Sequence, residues 1–448
     1  MKSPKTAQAA ALLSALLAAA PGSAGAAQRF SFGPGAVPPG YEQVLPGDLY
    51  SAAKGSGFEP GSEVTAVDRG GDDPLRGHFC TGARPFFFSV AEPEGNYTVT
   101  VLLGDLGGTS TTTVKAEVRR LEVEELRTAP GRLAMRSFTV SVRTPRFGTD
   151  GVVRLKPREK AAEGWNWDDK LTLEFSGERP CVCAVSVVPA PNLPTLFIAG
   201  DSTVSDQALE PFSSWGQMLP RFFGPGIVVA NHAESGETLR SFVSERRLPK
   251  LDTLMRPGDF LLIQFGHNDQ KEKGPGVGAF TTYKADLERF VTDARAHGTT
   301  PVVVTPVSRR TFGADGRIEN SLGDYPEAVR RVAREQGIAC IDLNAMSTVL
   351  YEALGPEGAK ALFPTVNGNI EATHHDDYGS YEMAKCIVEG IRAAQPGLAK
   401  FLAGDAPRFD PAHPDPVAGF DVPPDPKSTT ETPYGAGGRP PGQPEPHP

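Results

Sequence analysis

Between residues 86 and 188, apolar side chains come in short runs with alternating or β-branched character. Residues 86–90 (Phe-Phe-Phe-Ser-Val), 97–102, 112–118, 138–142, 171–175 and 182–188 all have this form. Turn-forming Glu94-Gly95-Asn96 and the stretch 104–108 separate some of them. Short strands at such intervals predict a β-sandwich over residues 28–189. After the connector Pro189-Ala190-Pro191-Asn192-Leu193-Pro194 the rhythm changes. Continuous apolar runs at 195–199, 227–230, 260–265, 301–305 and 338–343 read as buried strands. Helical patterns at 283–297, 326–336 and 378–394, and a looser one at 213–221, lie among and after them. That alternation predicts a parallel sheet covered on both faces, in a second domain over residues 195–403 with 190–194 as the linker. From 404 to 448 proline rises and periodic apolar positions fade, which predicts a disordered tail.

The first residues follow a different pattern. Lys2 and Lys5 precede an apolar run at 9–20, and Ala24-Gly25-Ala26 supplies small residues for cleavage. Residues 1–26 therefore read as a signal peptide, its apolar run too short to span a bilayer. No later stretch is apolar enough to anchor the chain, so the expectation is export, to periplasm or medium. With 448 residues there is room for two or three domains, and 39% hydrophobic against 22% charged residues suits a globular protein. The net charge of -9 argues against a nucleic-acid partner and mildly against a polyanionic ligand, unless basic residues cluster locally. Cys340 and Cys386 fit core positions, whereas a Cys80–Cys181 or Cys80–Cys183 bridge stays open in an oxidising compartment. The five cysteines leave at least one thiol without a partner in the chain and show no metal-ligand spacing. Asn96-Tyr97-Thr98 has the form of a glycosylation sequon but reads as a hairpin turn.

Candidate chemistry lies at the ends of the later strands. Gly200-Asp201-Ser202 follows the first, where open α/β sheets bind ligands. Ser202 there is either a helix-capping turn residue or a nucleophile whose hydroxyl faces solvent. Residues 231–238 (Asn-His-Ala-Glu-Ser-Gly-Glu-Thr) follow the second strand, with Gly236 offering an unobstructed N–H. Gly266-His267-Asn268-Asp269 ends the third, where the Asn268 amide can donate to an oxyanion without being ionised. Beyond the last strand, Glu371 precedes His374 by three residues, a spacing that lets a carboxylate hold one ring nitrogen and leave the other to take a serine proton.

In this order, Gly200-Asp201-Ser202, Gly236, Gly266-x-Asn268-Asp269 and Glu371-x-x-His374 resemble the four blocks of SGNH (GDSL-type) hydrolases. The fuller strings, including Gly-Asp-Ser-Thr-Val and Phe-Gly-His-Asn-Asp, look like the rhamnogalacturonan acetylesterase branch, across about residues 195–394. The resemblance implies a three-layer α/β/α fold with a five-stranded parallel sheet. It implies Ser202 as nucleophile, His374 as base and Glu371 as its acid, with an oxyanion hole from the Ser202 and Gly236 N–H groups and the Asn268 amide. No metal or cofactor is required. The region ahead of the linker is similar to galactose-binding-like β-sandwiches, as a sugar-binding or purely supporting domain. Glu371 departs from the aspartate usual in the family, which leaves Asp376 or Asp377 as substitutes. His375 falls where the family often has Phe or His.

The expectation is a secreted carbohydrate esterase acting on acetylated plant cell-wall polysaccharide or oligosaccharide, with rhamnogalacturonan as substrate. Alternatives are acetyl xylan, another acetylated glycan, or a non-catalytic carbohydrate-binding protein. Arg240, Arg309 and Arg310 are the candidates to meet pectic carboxylates, against the plainer reading of solvated loop charges.

Overall fold

A computed structural model describes residues 25–427 and residue 429. The expected signal peptide lies outside the described residues except for its last two positions, and so do residue 428 and residues 430–448.

In the first half, two sheets face each other. One has seven strands, running Arg132–Val142, Gly95–Asp105, Cys181–Pro189, Gln28–Phe32, Glu42–Val44 in spatial order. His78–Thr81 also pairs with Cys181–Pro189 and carries Thr65–Asp68 on its far side. The other has five strands, ordered Ser56–Phe58, Phe86–Ala91, Lys170–Ser176, Ser110–Ala116, Arg120–Thr128. Period-two alternation turns Phe86, Phe88 and Val90 into the gap and leaves Phe87 half-buried outside it. There Phe88 meets Phe32 edge-on at 4.8 Å and Phe86 stacks on Phe175 at 5.4 Å.

The same alternation decides the cysteines. Cys80 lies opposite Val182 and shares its face, in the core between the sheets. Cys181 and Cys183 point to the other face, beside Phe79. Neither considered bridge forms, and all five cysteines are free thiols. Asn96 is not in a turn: it sits in the Gly95–Asp105 strand, and its amide donates to Thr195 Oγ1 at 2.8 Å, tying the sandwich to the next half.

The second half is a three-layer α/β/α unit. Its parallel strands are β1 (Thr195–Gly200), β2 (Val228–Asn231), β3 (Phe260–Gln264), β4 (Thr300–Val304) and β5 (Ala339–Ile341), in the order β2-β1-β3-β4-β5. The longer helices are α1 (Leu239–Ser244), α2 (Arg247–Leu254), α3 (Lys284–Ala296), α4 (Tyr325–Gln336), α5 (Leu343–Gly358) and α6 (Asp377–Ala394). Leu196, Ile198, Leu262 and Val302 pack with Leu350, Met383 and Ile387 of α5 and α6. The intervening Phe197, Ala199, Leu261 and Ile263 pack with Phe242, Leu248, Phe290 and Val329 of α1 to α4. Burial on both faces is why these strands read as unbroken apolar runs. The strand order reverses beside β1, opening a crevice at the carboxyl ends of β1 and β3. Among the described residues no helix is long and apolar enough to cross a membrane.

Of the expected disordered tail, residues 404–427 are described, and they pack on both halves. Phe420 packs on Tyr378 and Tyr381, and Val422 and Asp425 are buried. Lys115 donates to Pro423 O at 2.7 Å, and Lys427 stands 4.3 Å from the Trp165 ring centre. A proline-rich segment needs no ladder partner, so a few anchors hold it as a strap from α6 back to the sandwich.

Candidate active site

β1 stops at a glycine because a side chain would not fit. A Cβ on Gly200 would lie 2.7 Å from the Val204 side chain and 2.9 Å from Gln264 O. Asp201 then builds the turn. Its Oδ1 accepts from Thr203 N at 3.0 Å and Thr203 Oγ1 at 2.8 Å, while its carbonyl accepts from Val204 N and Ser205 N. From β3, Gln264 donates to Thr203 Oγ1 at 2.6 Å and is itself held by Trp215 Nε1 at 2.9 Å. Ser202 Oγ is thereby presented to His374 Nε2, 2.9 Å away.

The hydroxyl does not face open solvent as expected, since Ser202 is 1% exposed. Residues 203–213 fold back over the turn, with Gln207 donating to Ser202 O at 2.8 Å and Ser213 N to His375 O at 2.9 Å. Phe212 closes on the His374 ring edge-on at 6.0 Å.

His374 stands just ahead of α6, whose N-terminus is capped by Asp376 accepting from Gly379 N at 2.8 Å. Glu371 Oε1 accepts from Ala372 N and Thr373 N at 2.9 and 3.1 Å. Its Oε2 lies 3.9 Å from His374 Nδ1, which has no hydrogen-bond partner among the described residues. Burial pushes the Glu371 carboxyl upward, but His374 and the two backbone donors outweigh it and hold the group at about 2. The substitutes are engaged elsewhere: Asp376 in its cap and Asp377 with Arg119 at 3.1 Å. His375 is a packing residue, bonded to the Tyr351 hydroxyl at 2.7 Å and lying 4.6 Å from the Phe363 ring centre. Burial first and His374 second press it down to about 3, so it stays neutral.

Gly236 adopts φ +81°, where a side chain would be strained. Its loop is tied to the serine turn by Glu234 N donating to Gly200 O at 3.0 Å and by the Ser205–Ser235 hydroxyl pair at 3.0 Å. The Ser202 and Gly236 N–H groups donate to no protein acceptor among the described residues. Asn268 Nδ2 gives one hydrogen to Glu237 O at 3.0 Å, and Lys271 donates to Asn268 Oδ1 at 3.1 Å. The amide is thus oriented and keeps a second hydrogen to donate.

The three arginines have different positions. Arg309 is half-buried and its charge acts on both Asp201 and Glu371, so it borders the site. Arg310 is turned inward, 3.4 Å from Ile370 O and Glu371 O and 5.6 Å from the Phe363 ring centre, and braces the backbone carrying Glu371. Arg240 lies half-exposed on α1, paired with Asp286 at 3.4 Å and Glu272 at 3.8 Å, with no hydrogen bond or ion pair to the site residues. Lys271, Phe212 and Tyr351 were not singled out by the sequence. Lys271, three residues after Asn268 in the third block, had a positional signal; the other two had none.

Among the described residues one acidic group, Glu159, Glu163 and Glu234, is close enough to hold a metal ion. Two of its carboxylates already have cations, Glu159 with Arg247 and Glu234 with Arg158, and burial lifts the third, Glu163, to about 7.

Known proteins share much of this chain. The GDSL-like lipase/acylhydrolase family matches residues 198–369. The rhamnogalacturonan acetylesterase RhgT of Bacillus subtilis (strain 168) is 44% identical over 207 residues, 44% of this chain and 88% of that protein. The probable rhamnogalacturonan acetylesterase YesY of the same strain is 33% identical over 200 residues, 44% of this chain and 92% of that protein. The uncharacterized esterase YxiM, also from that strain, is 27% identical over 384 residues, 83% of this chain and 92% of its own length, a match that runs across both halves.

Proposed function

Because the chain belongs to the GDSL-like lipase/acylhydrolase family and is a serine esterase of acetylated carbohydrate, we propose that its substrate is acetylated rhamnogalacturonan. We also propose that residues 1–26 direct it to the periplasm or the medium. The observation that carries the reaction is the 2.9 Å bond between Ser202 and His374, residues 172 apart that meet at the carboxyl end of the sheet.

Ser202 Oγ attacks the acetyl carbonyl carbon as His374 Nε2 takes its proton. The Ser202 and Gly236 N–H groups and the Asn268 amide receive the oxyanion. As the tetrahedral intermediate collapses, His374 returns the proton to the leaving sugar oxygen, and acetyl remains on Ser202. Water, deprotonated by His374, then attacks the acetyl-enzyme and frees acetate and Ser202. Glu371, anionic and 3.9 Å from Nδ1, stabilises the imidazolium in both steps.

Two observations favour the pectic substrate. The relatives named above as rhamnogalacturonan acetylesterase and probable rhamnogalacturonan acetylesterase match this chain over 207 and 200 residues, at 44% and 33% identity. Arg309 and the exposed Lys271 place positive charge beside the site, where galacturonate carboxylates would lie. Acetate release from acetylated rhamnogalacturonan and from acetyl xylan tests the reading. A kcat/KM at least about tenfold higher on the pectic substrate is expected. Equal or reversed preference removes that substrate and leaves the esterase. Silence on 4-nitrophenyl acetate as well removes both.

A further inference from the structure

The loop carrying Gly236 is gripped from the other half of the chain. Between the sandwich strands Arg132–Val142 and Lys170–Ser176, the connection forms a short helix, Pro157–Ala162, and lies against the loop after β2. Lys156 Nζ donates to Ser235 O at 2.7 Å, and Arg158 Nη2 donates to the same oxygen at 3.1 Å. That oxygen and the Gly236 N–H belong to one planar trans peptide unit and point in opposite directions. Holding one fixes the aim of the other.

The grip is needed because Gly236 has the backbone freedom of a glycine at positive φ. Two cations on the carbonyl oxygen also draw electron density from the amide, which makes its N–H a stronger donor. The cations are themselves fixed. Lys156 pairs with Glu237, and Arg158 with Glu234. Glu237 is fully buried, and its carbonyl is the one that orients the Asn268 amide. One bracket therefore reaches two of the three oxyanion donors.

We propose that Lys156 and Arg158 are positioning residues for the oxyanion site, so that the sandwich half sets the catalytic geometry of the esterase half. This rests on the assignment of Gly236 and Asn268 as oxyanion donors. A merely supporting role would show in stability alone, whereas a positioning role shows in kcat.

The test compares Lys156→Met, Arg158→Leu, their double variant and the charge-keeping double variant Lys156→Arg/Arg158→Lys, with 4-nitrophenyl acetate as substrate and thermal unfolding in parallel. The double variant is expected to lose about 10–100-fold in kcat with KM within about twofold, and the charge-keeping pair to recover most of it. A double variant with wild-type kcat overturns the proposal, as does a charge-keeping pair that falls equally far, or a loss confined to KM. Should the double variant fail to fold, the single variants carry the test: lowered kcat at constant KM in both supports it, and wild-type kcat in both overturns it. Ser202→Ala separates the two levels. Acetate release retained there overturns the active-site reading, while an inert Ser202→Ala beside a fully active double variant overturns the bracket alone.

Discussion

His374 Nδ1 and the nearer oxygen of Glu371 stand 3.9 Å apart, within charge attraction and beyond a hydrogen bond. The other oxygen is docked on two backbone N–H groups, so the carboxylate is anchored beside the ring. A small turn of the carboxylate closes the gap when the imidazole becomes charged. Glu371→Ala is therefore expected to lower kcat by about 10²–10⁴-fold with an unchanged melting temperature. Glu371→Asp, one methylene shorter, should fall between. Wild-type turnover in Glu371→Ala would move the acid role elsewhere.

Asp376 separates stability from catalysis. Its side chain caps α6 and does not reach His374. Asp376→Ala should cost about 1 kcal/mol in a denaturant melt and leave the chemical step nearly intact. A catalytic loss as deep as that of Glu371→Ala would contradict the assignment.

The nucleophile and the amide donor should respond differently to truncation. Ser202→Ala should release no acetate while folding normally. Asn268→Ala should retain a measurable rate, about 10²–10³-fold down in kcat, because the two backbone donors remain. Single-turnover kinetics would resolve whether acylation carries the loss.

Arg309 should matter only for a charged substrate. Arg309→Ala is expected to raise KM for acetylated galacturonate-containing oligosaccharide about 5–10-fold, less so at high salt, and to leave 4-nitrophenyl acetate kinetics unchanged. Equal effects on both substrates would place Arg309 in the fold rather than in recognition.

Glu117 makes stability depend on pH. Burial lifts its carboxyl to about 8 despite nearby Arg120. The folded protein thus keeps a proton that the unfolded chain releases near the ordinary glutamate value of 4.5. Its contribution is complete below that pH and lost as pH rises through about 8. Within that window wild type should lose up to about 1.4 kcal/mol per pH unit relative to Glu117→Gln, read from melts across pH. Parallel curves would disprove the shift.

The second half was legible because β1 to β4 are buried on both faces and announce themselves as apolar runs. Helix α5 was not, since Asn344, Ser347, Thr348, Gly355 and Pro356 mask its period. In the first half, Ser56–Phe58 and Glu42–Val44 are too short to show a pattern. Arg120–Thr128 looks like a charged surface segment, yet Arg120 and Glu122 are buried, and Arg120 bonds Asp206 at 2.8 Å across the two halves. Ser202 and His374 could be named from local strings. Lys156 could not, because it meets Ser235 across 79 residues and no local pattern records that meeting.

The C-terminal strap has a consequence for how the protein comes into being. Lys115 meets Pro423 across 308 positions, and Arg119 meets Asp377 across 258. During synthesis the sandwich leaves the ribosome first and has its whole core available. His374 emerges 172 residues after Ser202. A nascent chain therefore holds every residue of the sandwich core, and Lys156 and Arg158 with it, well before it owns a base for its nucleophile. The strap emerges later still, and its seating ties residues 404–427 back to the half that was synthesised first.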